Sequence, residues 1–298
     1  MDFLIYHDVF PDTIPPLYHY TSPAGLLGIL TGKCIWLSQL NYSNDLVEYS
    51  YAISVIQKVL EEYGLGQAVK LDVTAMPATY SFSLSQNGDI LSQWRGYCPQ
   101  GGYSVRFYQP QLDTMMKNNQ LTVGKCIYDK DSQEQFVREC IIGYPTIEAY
   151  YNMVEIDSSS HRPGYYVVDI AARLYKYLPL IKHYKFAEEA EWRIFISYSY
   201  GSGSNLDIHG PFLNLGPLPT IAVMDNEEAV KKLEFRSGRG MIIPYLKIAL
   251  ASDNESVCAY DVIVGPTSDM SLSLISCQML MKRYSGNEVH VSNIPYKY

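Results

Sequence analysis

No run of about 18 apolar residues, the length a helix needs to cross a bilayer, occurs in the chain, which excludes a membrane-spanning helix. The six cysteines, Cys34, Cys98, Cys126, Cys140, Cys258 and Cys277, form no Cys-x-x-Cys and no Cys/His pair at zinc spacing. They read as small buried hydrophobes in a reducing compartment, and no structural metal is expected. Positive charge is also short: 23 Lys and Arg stand against 31 Asp and Glu, for a net charge of −8. Proteins that coat nucleic acid neutralise phosphates with Lys and Arg over a broad face, so that class is excluded and only a local basic patch is open. The first residues, Met1-Asp2-Phe3-Leu4-Ile5-Tyr6-His7-Asp8, carry acids where a secretory signal has basic residues, giving the expectation of a cytoplasmic protein. Phe and Trp are few, 9 and 3, but Tyr is abundant at 27. A tyrosine has an apolar ring and a hydrogen-bonding tip, so such a chain has many half-buried positions, some lining a cleft.

The chain begins with an extended lead-in over residues 1–16, set by Pro11, Pro15 and Pro16. A strand at Leu17–Thr21 follows, then a helix with Ser22 as N-cap and Pro23 in its first turn, stopped by Gly32, and a strand at Cys34–Ser38. A loop at Asn41–Asp45 leads to a helix with apolar positions Leu46, Tyr49, Ile53, Ile56 and Leu60. Further strands are expected at Ala78–Leu84, Tyr103–Tyr108, Leu121–Tyr128 and Tyr260–Val264, and further helices at Asp89–Tyr97, Ser132–Met153, Val167–Leu178 and Ser271–Arg283. Tyr200–Asn205 reads as a flexible loop whose glycines are too irregular for a phosphate loop. Strands outnumber helices without regular alternation, so the fold class is α+β with mixed or antiparallel sheets. No repeat or linker divides the chain, and 1–298 is read as one domain, with 17–200 the catalytic core and 201–298 its completion.

One stretch concentrates chemistry: Phe186-Ala187-Glu188-Glu189-Ala190-Glu191-Trp192-Arg193-Ile194-Phe195-Ile196. As a strand, it places Glu189, Glu191 and Arg193 on one face and Ala190, Trp192, Ile194 and Ile196 on the other. Carboxylates two residues apart on a strand lie roughly 6–7 Å apart, within reach of one substrate. The structural alternative is an ion-pair ladder on a solvated face. Asn44 and Asp45 most simply cap the helix that follows them.

The order Leu17-Tyr18-His19-Tyr20-Thr21, Ile35-Trp36-Leu37-Ser38, Asn44-Asp45 with Glu48, Gln93-Trp94-Arg95-Gly96-Tyr97 with Gly102, Lys182-His183 through Glu189-x-Glu191-x-Arg193, and Val262-Ile263-Val264-Gly265-Pro266 resembles the bacterial domain-of-unknown-function family 2971. A more distant resemblance is to ADP-ribosyltransferases of the His-Tyr-Glu type, which cleave the nicotinamide–ribose bond of NAD. That resemblance implies a split β core with helical insertions and NAD as substrate. His19 matches the family's first-strand His, with Tyr20 beside it, and Trp36 lies on the matching aromatic strand. Tyr42 or Tyr49 is the implied nicotinamide-stacking ring. Glu191 matches the catalytic Glu, with Glu189 before it, and Arg193 either binds a phosphate or keeps Glu189 ionised. Glu191→Gln is then expected to abolish nicotinamide release without unfolding the chain. The acceptor, a protein, a nucleic acid or water, is not implied; for a nucleic acid, Arg236 and Arg239 would form a small contact patch. By analogy alone the role is that of a toxin or defence effector.

Two other readings compete. A metal-dependent nuclease would use Asp45, Glu48, Glu189 and Glu191 as oxygen ligands for Mg²⁺, though no Asp/Glu-x-Lys nuclease motif accompanies them. A non-catalytic module would use the Tyr-rich cleft to hold a nucleotide or a partner.

Overall fold

The computed structural model describes residues 4–42, 46–71, 77–141, 163–200, 222–224, 230–238, 240–250, 259–284 and 288–295. A short helix, α1 (Leu4–Val9), stands within the segment expected to be extended, because the three prolines all follow it. Then come β1 (Tyr18–Thr21), α2 (Pro23–Gly32) and β2 (Cys34–Gln39). Ser22 caps α2 by accepting a hydrogen bond from the Gly25 amide at 3.2 Å, and Pro23 fills the first turn, whose amide would have no helical partner. The helix α3 (Leu46–Glu62) ends before Gly64, which takes the left-handed conformation at φ +69.

Next are β3 (Ala78–Ser85), α4 (Leu91–Tyr97), β4 (Tyr103–Phe107), α5 (Gln109–Asn118), β5 (Thr122–Lys125), α6 (Lys130–Ile141) and α7 (Pro163–Tyr177). The helix α5 had no counterpart among the expected elements. Then follow β6 (Glu191–Tyr200), β7 (Ala222–Met224), β8 (Leu233–Gly238), β9 (Met241–Ala249), β10 (Ala259–Val264), α8 (Met270–Tyr284) and β11 (Val289–Val291). Arg236, named above for a basic patch, lies on β8, which pairs with β9 as a hairpin. The Tyr200–Asn205 loop beyond Tyr200, the tail of the Ser132–Met153 helix, and Arg239 lie outside the described residues.

The eleven strands form one mixed sheet, parallel at β10–β11 and β6–β7 and antiparallel elsewhere. With helices packed against it, the architecture is α+β. Both faces are covered, as the alternation along β6 shows: Trp192, Ile194 and Ile196 enter one core with α2, α5 and α8, while Phe195 enters the other with α3, α6 and α7.

The central strand β3 has an unusual set of neighbours. One edge pairs with β6 from Ala78 to Ser85. Its other edge pairs with β1 only at Ser85 and with β2 only at Ser81 and Tyr80. Both strands run antiparallel to β3, so both would claim the same stretch of edge around Ser83. Instead β1 peels away along β4 and β2 arrives along β9, leaving Phe82, Ser83 and Leu84 without a ladder partner on that edge. The sheet splits there, and α2 connects the two departing strands.

Candidate functional site

A cleft of about 760 Å³ opens at the split, within the range typical of small-molecule sites. It is lined by His19 and Thr21 of β1, the first turns of α2, Trp36 and Ser38 of β2, Tyr42, Ser81 to Ser83 of β3, Glu191 and Arg193 of β6, and Arg236 of β8. A smaller annex of about 40 Å³ shares His19, Ser83, Tyr97 and Glu191 with it, and adds Gln93 and Glu189.

Glu191 begins β6 and is only 5% exposed. Its Oε1 accepts from Arg193 Nε at 2.8 Å, and its Oε2 accepts from Arg193 Nη2 at 3.0 Å and from Lys182 Nζ at 2.7 Å. Burial alone would push this carboxyl up; the charges of Arg193 and Lys182 outweigh it and hold the pKa at about 2. Glu191 is therefore a fixed anion at any physiological pH. Lys182 is 2% exposed and also donates to Glu189 Oε2 at 2.5 Å. Two carboxylates and two cations thus share one buried cluster, satisfying the rule that buried charges pair.

The expectation of one long strand carrying Glu189, Glu191 and Arg193 on its face needs correction. Residues Tyr184–Glu189 form a 3₁₀ helix, and Ala190 sits in the left-handed region at φ +43, so the strand starts at Glu191. Glu189 meets Glu191 through Lys182, not through strand alternation. Nor is the charged face solvated, since Glu191 and Arg193 are both buried.

His19 is half-buried and stacks on Phe82 with ring centroids 4.2 Å apart. Its Nδ1 lies 2.9 Å from the Ser83 carbonyl, one of the groups stranded by the split. A carbonyl only accepts, so Nδ1 donates and Nε2 is left as an acceptor. Crowding around the ring lowers its pKa to about 4, with the Ser83 bond working the other way, and the imidazole is neutral at pH 7.

Trp36 and Tyr42 both line the cleft, with Trp36 42% exposed and stacked on Tyr245 at 4.5 Å. Tyr20 lines the annex, but its hydroxyl is committed: it donates to Asn87 O at 2.9 Å and accepts from the Ile90 amide at 3.0 Å. Tyr49 does not reach the cleft; it is buried in the helical core between α3 and its neighbours, as its place in the α3 periodicity dictates. Arg193 also lines the cleft; its guanidinium holds Glu191 and, through Nη1, donates to Pro179 O at 2.6 Å. The cleft's other arginine, Arg236, gives Nη2 to Ser38 Oγ at 3.1 Å.

Sequence reasoning missed Lys182 and Gln93. Lys182 stood inside the family-like order, yet nothing local marks a lysine as buried. Gln93 precedes a tryptophan on a seven-residue helix, and its burial depends on β1 and β6, distant in sequence.

Among the described residues, no group of three or more His, Cys, Asp or Glu is placed to hold a metal. Asp45 lies outside those residues, and the carboxylates of Glu189 and Glu191 are already matched by two cations. No helix among them is long and apolar enough to cross a membrane.

A family model described as "Protein of unknown function (DUF2971)" matches residues 93–194, about a third of the chain. The match runs from Gln93 to Ile194, and so takes in the annex residue Gln93 and the whole ionic cluster. No curated protein and no solved structure matches the chain.

Proposed function

We propose that the cleft binds NAD and that the protein is an ADP-ribosyltransferase-like enzyme, releasing nicotinamide and passing ADP-ribose to a macromolecule or to water. The single observation carrying this reading is that His19, Trp36, Tyr42 and the ionised Glu191 line one cleft at a split in the sheet. A split β core is also what the resemblance to those transferases implies.

The residues fit the substrate's chemistry. The cationic nicotinamide ring favours an aromatic face, offered by Trp36 or Tyr42. As the nitrogen–ribose bond breaks, its electron pair leaves with nicotinamide, and positive charge develops on the ribose. A buried carboxylate held ionised by Arg193 and Lys182 stabilises that charge without reorganising. His19 Nε2 is an acceptor for a ribose hydroxyl, and Arg236 a donor for a phosphate oxygen. The acceptor nucleophile bonds to the ribose carbon and loses a proton, for which Glu189 is the nearby carboxylate.

Trp36 and Arg236 stand at the cleft wall, outside the buried cluster, so removing them tests the reading without dismantling the fold. Trp36→Ala and Arg236→Gln should each weaken NAD binding about tenfold or more, measured by calorimetry, while unfolding midpoints stay near the wild-type value. NAD affinity unchanged in both variants would count against this site.

A further inference from the structure

The helix α8 is apolar on two opposite sides. Met270, Leu274, Cys277 and Met281, at helical spacing, pack into the core beneath the sheet. On the far side Leu272, Ile275 and Met279 are 65%, 52% and 69% exposed. Single exposed apolar residues are ordinary, but three along one helical row form a continuous patch, and such a patch marks an interaction surface. The row runs into charge at both ends. Asp269 stands three residues before Leu272 and Arg283 four residues after Met279, both exposed, so positions 269, 272, 276, 279 and 283 repeat at the 3-4 spacing of a helix seam. Ser276, at the middle of the row, already donates its hydroxyl to the Ser273 carbonyl at 3.1 Å. It can therefore be covered without losing a bond to water, and its small side chain lets a second helix come close.

We infer that α8 is the contact between two copies of this chain, packed antiparallel about a two-fold axis near Ser276. The row matches its own reverse. Leu272 of one copy meets Met279 of the other, Ile275 and Ser276 face their equivalents, and Asp269 of one copy meets Arg283 of the other. Each contact occurs twice, as a self-complementary interface requires. A parallel pair would set acid on acid and base on base. With 15 residues α8 is about 22 Å long. One helix covers less than the roughly 800 Å² per partner of a standard interface, so the dimer is weak, with a dissociation constant on the order of tens of micromolar. None of these residues lines the cleft, so the inference is independent of the NAD reading.

The test is sedimentation of the purified full chain over about 1 to 200 µM, a range that spans that dissociation constant. Wild type should pass from monomer towards dimer across it. Met279→Glu places an acid at the centre of the patch and should weaken association about tenfold or more, while its unfolding midpoint stays near the wild-type value because the side chain is exposed. Asp269→Lys and Arg283→Glu should each weaken self-association, and mixing the two variants should restore it, since only the mixed pair has opposite charges at both ends. Asp269 also accepts from the Leu272 amide at 3.0 Å, so folding of that variant is checked by cooperative thermal unfolding. A monomer throughout the range, a dimer indifferent to Met279→Glu, or a mixture of folded charge variants that associates no better than either alone would overturn the inference.

Discussion

Glu191 is both the most buried acid of the cleft and the one through which the cluster is held together. This changes what its mutation can report. Glu191→Gln leaves Lys182 and Arg193 as buried cations short of one negative charge, and removing one member of a buried ion pair typically costs about 3–5 kcal/mol. Urea unfolding of Glu191→Gln should therefore show a loss of that order, where the sequence led to the expectation of lost activity without unfolding. A midpoint equal to wild type would mean that the cluster is solvated and the carboxylate less firmly held than the distances imply. At this scale, the charges of Glu189-x-Glu191-x-Arg193 were legible in sequence, as was the order of His19 and Trp36. The cation that joins the two glutamates was not, because the burial of Lys182 is set by β6 and by Phe186, over whose ring its ammonium lies at 5.1 Å. Tyr49 was misplaced because a helical tyrosine facing the core and one facing a cleft have the same periodicity.

The decisive element is β3, whose edge is shared by β1 and β2 so that neither can pair along its middle. The strands and α2 were readable from alternation and from the Ser22-Pro23 cap, since those signals are local. Their divergence was not, because it follows from pairings distant in sequence, Tyr18 with Ser85 and Gln39 with Tyr80. The left-handed Ala190 was illegible for another reason: alanine rarely takes positive φ, and only the surrounding contacts impose it. The cap is the simplest test of how the cleft wall is built. Ser22→Ala removes the bond to the Gly25 amide and should cost about 0.5–2 kcal/mol by denaturant unfolding, with the weakened first turn of α2 bordering the cleft. No loss of stability would show that Ser22 does not hold the turn.

Across the molecule, His19 and Glu191 are among the groups whose lowered pKa values make acid destabilising. His19 has a native pKa of about 4 against an ordinary 6.5. The unfolded chain takes up its proton first, so this contribution is complete above pH 6.5 and lost as pH falls towards 4. Glu191 has a native pKa of about 2 against 4.5; its contribution is complete above 4.5 and lost as pH falls towards 2, a change on the order of 3 kcal/mol. Urea midpoints at pH 7, 5 and 3 should decline steadily, and His19→Asn should flatten the decline between 6.5 and 4. A midpoint unchanged from pH 7 to pH 3 would contradict both assignments. The net charge of −8 adds a constraint at this scale: a nucleic-acid acceptor would have to be gripped by a small patch such as the one around Arg236, with correspondingly shallow salt dependence.

The most direct test of the central claim is nicotinamide release from NAD by the purified full-length chain, quantified by chromatography with and without a lysate as the source of acceptors. Release by wild type, lost in Arg236→Gln or Trp36→Ala proteins that unfold normally, is the predicted result. Neither release nor saturable NAD binding by wild type would contradict it.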